Sequence, residues 1–133
     1  MRTEEEVEAL LLKLGHAVDT VAEGTWVVRD EANRLGNLVV RYEPPILALR
    51  VKLMEVPAAG REAFYERLLG LNATELVHGA YGLEGGSVVW VDTLQLENLD
   101  LNELQASAEA VELAIQAHAA QLQPFRGAQG RRA

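Results

Sequence analysis

Cysteine is absent from this sequence, which excludes disulfides, thiolate metal sites and a cysteine nucleophile. Serine is nearly absent too. Ser87 and Ser107 are the only two; neither sits in a nucleophile-elbow sequence, and Ser107 falls inside a helical stretch. His16, His78 and His118 show neither HxxxH nor HxH spacing, so no metal-ligand pattern exists. Each reads as a surface or hydrogen-bonded core residue. There is no GxGxxG and no Gly-Lys-Ser or Gly-Lys-Thr, so nothing points to a nucleotide or any other cofactor. No long apolar run is present: the N-terminal "ALLLKL" is far too short to cross a bilayer, and the acidic start "MRTEEEVEA" is the opposite of a signal peptide. No membrane contact and a cytoplasmic location are expected. Lysine and isoleucine are scarce, 2 Lys against 10 Arg and 2 Ile against 21 Leu, a usage typical of a GC-rich bacterial genome.

What remains is one acidic globular domain. The 133 residues are 49% hydrophobic and carry a net charge of −8, enough apolar material for a core at this length. Basic residues are unevenly placed. From Glu84 to Glu112 there are seven acids and no Lys or Arg. Residues 26 to 54 instead carry Arg29, Arg34, Arg41, Arg50 and Lys52. Overall acidity disfavours nonspecific nucleic-acid binding, which rests on phosphate contacts.

Thr3 and Glu6 have capping-box spacing, and Val7, Leu10, Leu11 and Leu14 follow at helical intervals up to Gly15. Three strands are expected next: 25–30, 38–43 after turn chemistry at Asn33, Gly36 and Asn37, and 46–54 after Pro44-Pro45. In the third, Leu47, Leu49, Val51 and Leu53 point one way, and Ile46, Ala48, Arg50, Lys52 and Met54 the other. A second helix spans about 61–71, with Phe64, Leu68 and Leu71 on one face. Strands at 75–81 and 87–96 follow, and the Gly-rich "GLEGG" between them reads as a hairpin rather than a phosphate loop, because it leads into a strand. Asp100 and Glu103 open a last helix, striped by Leu101, Leu104, Ala108, Val111, Ile115 and Leu122 and expected to stop at Pro124. Residues 1–123 then form the domain and 124–133 a disordered tail.

The fold class is therefore α+β, in the order α-β-β-β-α-β-β-α, with a five-stranded antiparallel sheet and the helices packed on one face. Asp92 is the strand carboxylate to inspect for burial. Trp26 and Trp90 read as core or interface aromatics rather than base-stacking platforms. Apolar residues exceed what one sheet and three helices need. The surplus points to a dimer interface at Phe64, Tyr65, Leu68, Leu69 and Trp90, and to partner-binding positions at Leu11, Ile46 and Met54. The alternative is an anion-contacting face built from Arg29, Arg41, Arg50 and Lys52.

One stretch carries a family resemblance. Residues 71–104, "LNATELVHGAYGLEGGSVVWVDTLQLENLDLNEL", resemble the C-terminal half of YbjN-type proteins. The matching pieces are Leu71-Asn72 at a helix end, Tyr81-Gly82-Leu83 before a Gly hairpin, and Leu96-Glu97-Asn98-Leu99 before the last helix. The element order over residues 3–122 also resembles the class I type III secretion chaperone fold. That resemblance implies a small non-catalytic homodimer that binds a protein client, without implying secretion, and it transfers no site residue.

Overall fold

A computed structural model describes residues 1–30 and 36–130, with side chains through Phe125. The elements run α1 (Glu4–Lys13), β1 (Ala17–Ala22), β2 (Thr25–Arg29), β3 (Leu38–Glu43), β4 (Ile46–Glu55), α2 (Arg61–Thr74), β5 (Ala80–Glu84), β6 (Ser87–Gln95) and α3 (Leu101–Gly130). All strands join one antiparallel sheet in the order β1-β2-β3-β4-β6-β5.

The sheet has six strands, not five. The extra strand, β1, forms a hairpin with β2 around Glu23-Gly24, Gly24 having φ +68°. It lies at the sheet edge and buries almost nothing, so it lacks the apolar alternation that reveals other strands. The signal that was available is a β-branched run, Val18, Thr20 and Val21, followed by a two-residue turn ending in Gly. At the other edge β5 begins at Ala80, not Glu75, because α2 continues to Thr74 and Gly79 breaks the chain at φ +73°. The hairpin reading of the glycines is correct and the turn is tighter than expected: Glu84 pairs with Ser87, leaving only Gly85-Gly86 outside the ladder. Gly85 has φ +59°, the sign a type II′ turn needs at its first central position. The turn residue Asn33 lies outside the described residues.

Register assigns the two faces. The row Trp26–Val40–Leu49–Asp92 and the row Val51–Trp90–Tyr81 point toward the helices. Apart from Asp92, these residues form one core with Val7 and Leu11 of α1, Phe64 and Leu68 of α2, and Leu104, Ala108 and Val111 of α3. The reciprocal Thr3–Glu6 cap of α1 is present, with Glu6 N–H donating to Thr3 Oγ1 at 3.2 Å and Thr3 N–H to Glu6 Oε1 at 3.0 Å. Asp100 caps α3 by accepting from the Glu103 N–H at 3.0 Å.

Two expectations are corrected by local geometry. The strict alternation of β4 fails at a bulge: Lys52 pairs with Val89 and Met54 with Val88, leaving Leu53 as the extra residue. Met54 thereby turns into the core. Pro124 does not end α3, whose backbone stays helical to Gly130. A proline removes its own N–H bond and crowds the preceding turn. Here Phe125 packs edge-on against Phe64 with ring centroids 4.9 Å apart, and that contact holds the turn in place.

Candidate protein-docking site

α2 and the edge strand β5 lie side by side and leave an apolar groove of about 270 Å³ between them. Leu68 forms part of its floor, and Tyr65, Leu69 and Leu83 stand at its rim. Leu69 is 68% exposed and Leu83 52%, which is unusual for leucines this close together on a surface. Helical spacing places Tyr65 and Leu69 one turn apart, while Leu83 arrives from a strand.

The groove is braced by polar contacts at Tyr81. Asn72 Nδ2 donates to the Tyr81 carbonyl at 3.0 Å, and the Tyr81 N–H donates to Asn72 Oδ1 at 2.7 Å. One side-chain amide thus plays the part of a neighbouring strand at the edge of the sheet. Inside the protein, the Tyr81 hydroxyl bonds to His118 Nδ1 on α3. Burial pushes the Tyr81 pKa up to about 12, so the phenol keeps its proton and is the donor. His118 therefore accepts at Nδ1 and, when neutral, carries its proton on Nε2. Burial pushes the His118 pKa down, with Glu75 acting in the opposite direction.

Replacing Asn72 with alanine removes both backbone contacts at once. Each exposed partner group costs on the order of 1 kcal/mol net, so a loss of about 2 kcal/mol is expected in denaturant titration. Asn72→Asp, which keeps only the acceptor, should fall between the two.

The other positions singled out from sequence are distributed differently. Phe64, Leu68 and Trp90 are core residues of the single chain, and so are Leu11 and Met54. Of these five, only Leu68 reaches the groove, as part of its floor; the other four side chains are covered by this chain itself. Tyr65 and Leu69 lie at the groove, and Ile46 is half-buried on the sheet face opposite the helices. Arg29, Arg41, Arg50 and Lys52 share that open face. Each is paired with a carboxylate: Arg29 with Asp19, Arg41 with Glu43 at 3.3 Å, Arg50 with Glu84 at 2.6 Å and Lys52 with Glu55 at 2.7 Å. Asp92 points inward, where it accepts from the buried Ser107 hydroxyl at 2.7 Å and the Thr93 N–H at 2.9 Å. That pair links β6 to α3. Asn72, Leu83 and the exposed Val77 and Leu113 were missed by sequence reasoning. Leu113 lies off the apolar stripe of its helix, and that displacement was the available signal.

The family CesT_Tir_1, a type III chaperone-like family, matches residues 1–127. The chain belongs to this family. Its fold is chaperone-like and non-enzymatic. Among solved structures, the chain is similar to the crystal structure of YbjN from E. coli, described as a candidate transcription regulator. The match has a TM-score of 0.69 at 11% identity and covers 90% of this chain and 93% of that one. No curated protein matches. Among the described residues no group of three or more His, Cys, Asp or Glu could hold a metal ion, and no helix is long and apolar enough to cross a membrane.

Proposed function

We propose that the chain is a non-catalytic, chaperone-like adaptor that works as a homodimer and holds a protein client. The observation carrying the dimer is the α2–β5 groove, where Leu69 and Leu83 are exposed beside a half-buried Tyr65 on a surface braced by Asn72. Two copies related by a twofold axis would cover each other's leucines, as an isologous contact requires. Membership of a chaperone-like family supports client binding.

Light scattering at micromolar concentration tests the dimer. The expected mass is twice the 14.6 kDa of one chain, and Leu69→Asp is expected to halve it. Leu69 is solvent-exposed in the single chain, so the substitution leaves the core intact and acts through an unpaired charge in a dry interface. A wild-type mass of a single chain would sink the dimer.

A second reading has one observation in its favour: the four basic residues do share the open sheet face. Nucleic acid or an acidic partner would contact them there. Their ion pairs weigh against this, since Asp19, Glu43, Glu84 and Glu55 bring as many negative charges to the same positions. Under this reading affinity for a DNA or RNA probe would fall steeply with added salt. The adaptor reading expects no such binding.

A further inference from the structure

A second groove lies between residues 75–78 and α3. It has a volume of about 360 Å³. On the α3 side it is lined by Ala106, Glu109, Ala110, Leu113, Ala114, Ala117 and His118. These positions are spaced three and four apart over about three turns, the interval of a helix-packing seam. Four of the seven are alanine, which lets another helix axis approach closely. Among the described residues no further element lies in the groove, and its rims are apolar and open: Val77 is 88% exposed and Leu113 65%.

We propose that this groove receives one helix of a partner protein, carrying basic residues beside an apolar stripe. The seam length sets the occupant at about three turns, or roughly 11 residues. Charge sets its sign. Glu75 and Glu109 line the groove, and no Lys or Arg lines it. Among the described residues neither glutamate forms an ion pair with a basic side chain, and the other titratable groups lining the groove are His78 and His118. A second copy of α3 is a poor occupant for the same reason. From Leu101 to Phe125, α3 carries Glu103, Glu109 and Glu112 and no Lys or Arg, so self-pairing would set carboxylates against carboxylates. A helix with Lys or Arg flanking a leucine stripe supplies both the knobs and the counter-charge. The proposal rests on the reading of this chain as a protein binder, and it is independent of the dimer at α2–β5.

The probe is a fluorescent synthetic helical peptide of about three turns, with leucines on one face and lysines beside them. A counterpart has glutamates in place of the lysines. Anisotropy at physiological salt is expected to show saturable binding of the basic peptide only. Glu75→Lys with Glu109→Lys should weaken it by roughly tenfold or more, because both counter-charges are reversed. Glu5→Lys with Glu62→Lys changes net charge equally at exposed positions away from the groove, and should alter affinity by less than about twofold. Leu113→Ser should weaken binding without changing thermal stability. Leu69→Asp should leave binding unchanged; if it abolishes binding, the peptide occupies the other groove and the proposal fails. Equal binding of the acidic peptide, no saturable binding, or equal losses in the two charge-reversed pairs would also overturn it. A monomeric wild-type protein that still binds the basic peptide would refute the dimer alone.

Discussion

Gly79→Ala is expected to be the most damaging single methyl that can be added to this protein. A β-carbon at Gly79 would lie 2.5 Å from two carbon atoms of the Trp90 indole and 2.7 Å from its nitrogen. Trp90 is wholly buried and cannot swing aside. Gly79 also has φ +73°, which costs a residue with a side chain about 1–2 kcal/mol. Forcing atoms into a filled core adds about 1–3 kcal/mol. A total loss of roughly 2–5 kcal/mol is expected from denaturant midpoints. Gly85→Ala separates the two causes. Gly85 has φ +59° but nothing within 4 Å of an added β-carbon, so only the backbone part, about 1–2 kcal/mol, should appear. Trp90→Phe in the Gly79→Ala background should recover part of the larger loss, because a smaller ring vacates the contested space. It also removes the indole N–H, the one buried side-chain polar atom among the described residues that has no hydrogen-bond partner. Equal losses at Gly79 and Gly85 would refute the steric explanation.

The second large effect is a dependence on pH that runs through His118. The ring is buried, accepts a hydrogen bond from Tyr81, and has its pKa pushed below the ordinary 6.5. Below pH 6.5 the unfolded chain takes up a proton that the folded ring still refuses. Stability from the neutral ring is therefore complete above that pH and declines as pH falls toward the lower folded value. Glu6, held low first by its hydrogen bond from the Thr3 backbone, loses its contribution only below its ordinary 4.5. The window from about pH 6.5 to 5 thus isolates the histidine. His118→Phe is expected to be less stable at pH 7.5, since it strands the Tyr81 hydroxyl, and to show a flatter slope through the window. Parallel slopes for wild type and variant would show that His118 does not carry the effect.

Much of the fold was legible because its signals are local. The Thr3–Glu6 and Asp100–Glu103 caps, the stripes of α1 and α3, and the glycine hairpin each need only a few neighbouring residues. What escaped depends on partners elsewhere in the chain. β1 is an edge strand with no apolar face to betray it, the bulge at Leu53 is decided by the register with β6, and α3 outlasts Pro124 because Phe125 meets Phe64. The candidate docking residues divide on the same line. Periodicity shows that Phe64, Leu68 and Leu11 form apolar faces, yet it cannot show that this chain covers them itself. Tyr65 and Leu69 lie just off that face and were found together with it. Leu83 is visible only once β5 is set beside α2.

The amide of Asn72, holding both the N–H and the carbonyl of Tyr81, has a consequence for how copies of this protein can accumulate. A free strand margin is a template: each added chain offers the next one the same unsaturated backbone, and growth has no natural end. Here that margin is already occupied by a side chain of the same molecule. The opposite margin, β1, is short, carries the Arg29–Asp19 pair and loses register between Thr20 and Ala22. Ladder propagation is thus obstructed at both ends of the sheet. A contact through side-chain patches such as Leu69 and Leu83 differs in kind: if isologous, it saturates once covered and would fix a definite subunit number rather than an open-ended length.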